Sequence, residues 1–315
     1  MHVPADSSLA TPTVVVIVTL DGVRRQEIFE GARLPNLTAL RAASATMGCG
    51  SPFLASGPDY VSLPGYMEML TGLRRHGCYS NDCSPPKHDT LADDFARRAS
   101  KLGDVAVFAS WPPLGSRVTR SSKVLVSAGR DGTNHPELLT YDAEARAAFE
   151  RGERASPSPG YENYRPDRYT AAIATRYLRT RAPRFLFLSL GDTDEHAHRD
   201  DYAGHLEALR FADGIIGEID ETLHALRKRG IRTLLIVTTD HGRARTFVEH
   251  GRKHPESASV WLMASGNDVR ARGCIVTDGA RYLADIAPTV RAVAGFPQVP
   301  APAAGRALVE LFESP

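Results

Sequence analysis

The chain has 315 residues, 42% of them hydrophobic and 24% charged, with a formal net charge of +1. That length can bury a large core, and a near-neutral balance gives no reason to expect a nucleic-acid polymer or an anionic membrane as partner. No apolar run approaches the roughly 20 residues of a membrane span. The opening "MHVPADSSLATPT" has no basic region followed by an apolar one, so a cytoplasmic location is the default and export would need a leader ahead of it.

The first strand, "TVVVIVTL" (13–20), runs straight into "DGVRR". A buried strand that ends on an acid is informative, because an ionised carboxylate must find a cation, donors or water. Asp21 is either a loop acid or the first piece of a site, since open α/β sheets place ligands beyond the carboxyl ends of their strands. "LPNLTALRAAS" then reads as a helix. In "VSLPGYMEMLTG", Ser62 stands just ahead of Pro64 and a helix-like turn, in the position of an N-cap. Cys78 and Cys83, in "CYSNDC", are either bridged or two reduced thiols. Neither they nor Cys49 and Cys274 have the C-x-x-C spacing of a structural zinc site.

"LADDFARRASKLG" is helical, and "DVAVFAS" (104–110) and "SKVLVSA" (122–128) are strands. The loop-rich stretch 111–165 reads as an insertion over one edge of the sheet. The helical runs "YDAEARAAFERGE" and "DRYTAAIATRYLRT" precede the strand "RFLFLSL" (184–190). The longest helix starts at Tyr202; Leu206, Leu209, Ile216, Ile219, Leu223 and Leu226 form its apolar stripe, and Gly230 ends it. "RTLLIVTT" (232–239) and "SVWLMAS" (259–265) complete the strands, and a Pro- and Ala-rich tail leads to a last short helix. Strands alternating with helices give an α/β fold: one domain over 1–315 with a mostly parallel central sheet and helices on both faces.

Two more strands run into acids and imidazoles, "FLSLGDTDEHAH" and "LIVTTDHGRA". In a parallel sheet their carboxyl ends share one edge, so Asp21, Asp192, His196, Asp240 and His241 converge there. Carboxylate oxygens with imidazole nitrogens suit zinc, with manganese or iron as other choices. The helix start at Ser62 offers amide donors to a phosphate, and a serine oxygen held on zinc loses its proton near neutral pH.

Asp-Gly after the first strand, "LPNLTAL", "SLPGYMEMLTG", "HGCYSND", D-x-x-x-H, "TTDHG" and "ADIAPTVRAVAGF" stand in the order seen in the alkaline phosphatase superfamily. The chain most resembles its nucleotide pyrophosphatase/phosphodiesterase branch, over roughly residues 13 to 296. The resemblance implies an alkaline phosphatase-like fold and two divalent metal ions, Zn2+ first and Mn2+ second. One metal would be held by Asp21, Ser62, Asp240 and His241. The other would be held by Asp192 and His196, with Asp194 as the rival of Asp192, and by a later histidine. His254 fits that third place best, with His250 as competitor. Ser62 would be the nucleophile, forming a phosphoserine, and Asn81 would bond a nonbridging phosphate oxygen of a small phosphoric ester, a diester more than a monoester. His198, His205 and His224 read as surface or helix histidines, and His76 as either structural or catalytic. A sulfatase-like site, a phosphomutase and a non-catalytic binder of a phosphorylated ligand are the alternatives; Tyr66 stands where the sulfatase pattern has arginine.

Overall fold

β1 (Thr13–Leu20) is buried along its whole length. Successive side chains of a strand point to opposite faces. Val15 and Ile17 accordingly join one apolar core, while Val14, Val16, Val18 and Leu20 join another. A strand apolar on both faces has to be covered on both, and this requirement sets the architecture. The computed structural model describes residues 13–312; the stretch before Thr13, read above for a leader, lies outside the described residues.

β1 is followed by α1 (Pro35–Ala42), β2 (Ala45–Met47), β3 (Phe53–Leu54), α2 (Ser62–Thr71) and α3 (Leu91–Arg97). Next come β4 (Val105–Ala109), β5 (Leu125–Ala128), β6 (Gly132–Thr133), α4 (Ala143–Glu153), α5 (Asp167–Arg181) and β7 (Phe185–Leu190). α6 (Asp192–His198), α7 (Tyr202–Lys228), β8 (Arg232–Thr238), β9 (Leu262–Gly266), β10 (Gly273–Cys274), β11 (Arg281–Tyr282) and α8 (Ile286–Ala294) follow. The main sheet has the order β10-β2-β9-β8-β1-β7-β4-β5-β6. Its centre, β8-β1-β7-β4-β5, is parallel. β9 runs antiparallel to β8, so the strand expected at 259–265 enters reversed, begins at Leu262 and sets that residue beside Thr238.

One face is covered by α2, α3 and α8 through residues such as Leu63, Phe95 and Ile286. The other is covered by α1, α4, α5 and α7 through Leu37, Phe149, Ile173 and Leu209. The α7 stripe is buried at Leu209, Ile216, Ile219, Leu223 and Leu226, with Leu206 half-buried at its border. Gly230, at φ +80°, turns the chain out of the helix. Residues 111–165 supply the β5–β6 edge of the sheet and α4, which starts on an Asp142 cap that accepts the Ala145 N–H at 2.7 Å.

All four cysteines are paired, Cys78 with Cys83 and Cys49 with Cys274. The register brings the site together: Thr19 of β1 lies between Ser189 of β7 and Thr238 of β8. The residues just beyond these strands therefore meet at one edge, and the Asp21 N–H donates to the Leu190 carbonyl at 2.9 Å.

Candidate metal centre

Asp21, Asp240 and His241 form a buried cluster directly beyond β1 and β8. His241 Nε2 lies 3.4 Å from Asp21 Oδ1 and 3.5 Å from Asp240 Oδ2. Its Nδ1 lies 2.8 Å from the Gly242 carbonyl, which accepts the ring N–H, so that Nε2 faces the acids. Asp240 Oδ1 accepts the Gly22 N–H at 3.1 Å. Oδ2 is buried and has no hydrogen-bond partner among the described residues. Burial pushes the Asp240 carboxyl well above the usual range, and Asp21 pushes it further. Burial opposes protonation of His241, but Asp240 and Asp21 outweigh it and raise the imidazole to about 9.

Ser62 joins this cluster, with Oγ 3.5 Å from Asp21 Oδ1 and 3.4 Å from His241 Nε2. It is the first residue of α2 rather than its N-cap; Val61 takes that position, and no side chain caps the helix. The hydroxyl is therefore turned to the acids instead of to its own backbone. Gly65 lets α2 come this close, since a methyl there would collide with the Asp240 carbonyl. Tyr66, one place further on, donates to Asp21 Oδ2 at 2.8 Å and lies 2.9 Å from Ser189 Oγ, which fixes the rotamer of Asp21.

A second group holds Asp194, His241 and His250. His198 Nε2 lies 3.0 Å from Asp194 Oδ2 and 3.1 Å from His250 Nε2. His250 stacks on His241 at 4.1 Å, and its Nδ1 lies 2.9 Å from the Tyr60 carbonyl. Burial and then His241 pull His250 down to about 3. Burial works against ionised Asp194, yet the Arg243 guanidinium beside it holds the carboxyl well below its usual range. Arg243 is itself buried and donates from Nε to the Phe247 carbonyl at 2.6 Å.

Three of the residues expected in this second group lie elsewhere. Asp192 Oδ1 accepts the Tyr164 hydroxyl at 2.8 Å and the Asp167 N–H at 3.1 Å. His196 Nδ1 lies 2.8 Å from Asp201 Oδ2. The reason is helical phase: residues two apart on α6 point to nearly opposite sides. Asp192 and His196 therefore face away from the side that carries Asp194 and His198. His254 precedes a one-turn 3-10 helix at Pro255–Ala258 and joins neither cluster, whereas its competitor His250 does. His76 is buried, takes the Cys78 N–H on Nδ1 at 3.2 Å and stacks on Tyr79. His205 is a buried helix residue against the Thr193 carbonyl. Arg243 and the orienting role of Tyr66 went unread, although a guanidinium directly after D-H-G was a visible signal.

Above the clusters is a cavity of about 340 Å³. Asp21, Ser62, Asp194 and His198 line it together with Asn81, whose Oδ1 accepts the Leu63 N–H at 3.0 Å. Trp111, Tyr161 and Tyr164, all from 111–165, and Glu195 and Arg199 complete its walls. Burial, with Asp194 and Asp21 nearby, raises Glu195 to about 7.

A central parallel sheet whose carboxyl edge gathers acids, imidazoles and a serine on a helix start defines an alkaline phosphatase-like fold. The chain superposes on the alkaline phosphatase PafA with a TM-score of 0.70 at 10% identity, over 97% of this chain and 100% of that one. It superposes on murine ectonucleotide pyrophosphatase/phosphodiesterase 5, solved as an inactive variant with AMP, with a TM-score of 0.61 at 12% identity, over 96% of this chain and 100% of that one. The sequence profile of the type I phosphodiesterase / nucleotide pyrophosphatase family matches residues 15–272, and the chain belongs to that family. A curated relative, the 2,3-bisphosphoglycerate-independent phosphoglycerate mutase of Thermomicrobium roseum, is 26% identical over 144 residues. That match covers 44% of this chain and 25% of the mutase. Among the described residues no helix is long and apolar enough to cross a membrane.

Proposed function

We propose that the chain hydrolyses phosphoric esters, diesters in preference to monoesters, with Ser62 as nucleophile. The observation that supports this most is the place of Ser62 Oγ, between Asp21 Oδ1 and His241 Nε2 on the floor of the cavity. Two divalent cations fit the donors: Asp21, Ser62, Asp240 and His241 would hold one, and Asp194, His198 and His250 the other. Asp240 Oδ2 has no hydrogen-bond partner among the described residues, and the Nε2 atoms of His198 and His250, 3.1 Å apart beside Asp194, are close enough to share one cation. Mixed oxygen and nitrogen donors favour zinc, with manganese second. When bound, such ions lower the pKa of the serine hydroxyl and offset charge on the phosphoryl oxygens.

Ser62 Oγ attacks phosphorus, the bond to the leaving alcohol breaks in line, and a phosphoserine forms that water then hydrolyses. Asn81 contributes a donor: its Oδ1 is taken by the Leu63 N–H, so its Nδ2 serves a nonbridging oxygen. Tyr66 keeps Asp21 Oδ1 towards Ser62 by bonding Oδ2. The diester preference rests on the walls, where Trp111 and Tyr161 offer ring surface to a second ester group and, among the described residues, Arg199 is the one guanidinium lining the cavity.

The test compares zinc-loaded wild type with Ser62→Ala on bis-p-nitrophenyl phosphate and p-nitrophenyl phosphate. Turnover is expected to fall by about three orders of magnitude or more in the variant, while elemental analysis still finds metal bound. An undiminished rate would remove Ser62 as nucleophile, and a clear monoester preference would remove the diester assignment.

A further inference from the structure

The Cys78–Cys83 bridge encloses Asn81, and the stretch from Arg74 to Thr90, between α2 and α3, holds no regular helix or strand. Nothing periodic fixes the Asn81 side chain, yet its Oδ1 reaches the Leu63 N–H one residue past Ser62. We propose that the Cys78–Cys83 bridge is a positioning device for catalysis, closing a small ring that holds the Asn81 amide against the nucleophile's helix. This rests on the role given to Asn81 above.

The ring is anchored at both ends. Cys78 is buried in the core that also contains Leu63 and Met67 of α2, and its N–H is bound by His76. Cys83 packs on the same core, and its carbonyl accepts the Arg117 Nε–H at 3.1 Å. Between them a Ser80–Cys83 turn carries Asn81 to the cavity. Loop size argues for a local role. The stabilisation from a bridge grows with the length of chain it closes. Cys78 and Cys83 are 5 residues apart, against 225 for Cys49 and Cys274. A ring so short restricts the unfolded chain little, but it removes most of the freedom of the residues inside it. The amide then meets the phosphoryl group with little reorganisation, the condition under which such a donor contributes to rate.

The test is a double-mutant cycle on kcat with zinc-loaded protein, with metal content and melting temperature measured alongside. Cys78→Ser with Cys83→Ser should lower kcat about tenfold or more while zinc content is kept, and KM should move less than kcat. Asn81→Ala should lower kcat by about 10²-fold, and adding the two serines to it should change nothing further. Cys49→Ser with Cys274→Ser should leave kcat near wild type; reducing that variant with a phosphine should reproduce the loss, and reoxidation should restore it. This arm decides the matter even where the Cys78 and Cys83 variants fail to fold. An unchanged kcat after loss of the bridge, or a full additional loss in the Asn81→Ala background, would overturn the proposal. A wild-type rate for Asn81→Ala itself would instead remove Asn81 from the catalytic reading, and the bridge's role with it.

Discussion

At Asp240 the chain buries a carboxylate completely, binds one oxygen to Gly22 and leaves the other without a hydrogen-bond partner among the described residues. Beside it stand Asp21 and a fully buried imidazole, His241. Such an arrangement is costly unless a further cation completes it. Nearby, the exposed His198 and the part-buried His250 bring their Nε2 atoms within 3.1 Å of each other beside Asp194. These contacts separate the proposed ligands from their neighbours. Asp194→Asn, His198→Ala and His250→Ala should each weaken zinc binding or cut kcat/KM by about 10²-fold or more. Asp192→Asn, His196→Ala and His254→Ala should stay within a few-fold of wild type, as read by zinc titration and initial rates. Spacing alone could not make this distinction. Asp192–His196 and Asp194–His198 are both four apart, and only the phase of α6 against the sheet tells which pair faces His250. His250 and His254 repeat the problem, because both lie in one loop before β9 and the turn decides which ring reaches His241.

At the scale of elements, the strands were legible because a strand buried on both faces must be apolar throughout, and the acids after β1, β7 and β8 were legible because that run stops on them. The reversed β9 was hidden, since an apolar run carries no direction. The exact start of α2 was hidden too: Ser62, expected in the N-cap position, is the first residue of the helix. How α2 docks is set by Gly65, packed directly on the Asp240 backbone. Gly65→Ala has no room, so the helix must move away from β8 and carry Ser62 with it. Overpacking of this kind costs about 1–3 kcal/mol, and the expected outcome is a lower melting temperature with a disproportionate loss of kcat. A rate at the wild-type level would show that α2 tolerates the shift. Gly22 has a matching part: at φ +63° it turns the chain so that its N–H reaches Asp240, and a methyl there would strike Asp194 and Arg243. The Asp-Gly pair after β1 is thus one proposed ligand and the turn that lets a second strand's acid approach.

For the whole molecule, the two bridges divide the labour by the length of chain each closes. In the chain-entropy picture Cys49–Cys274 constrains the unfolded state by roughly 5 kcal/mol and Cys78–Cys83 by about 2 kcal/mol. Thermal melts of the two serine pairs should therefore show the larger drop for Cys49 and Cys274, the opposite of the order expected for kcat. A larger drop for Cys78 and Cys83 would mean that the small ring carries the fold rather than the site. The pairing of Cys49 with Cys274 was not readable from the sequence, because it depends on β2 lying beside β10 in the finished sheet. The proposed chemistry depends on two cations drawing together carboxylates and imidazoles that are far apart in the chain. Anomalous diffraction at the zinc edge from zinc-loaded crystals tests this most directly. Two peaks are expected, one among Asp21, Ser62, Asp240 and His241 and the other among Asp194, His198 and His250; no peak at this edge of the sheet, or one on Asp192, His196 and His254, would contradict it.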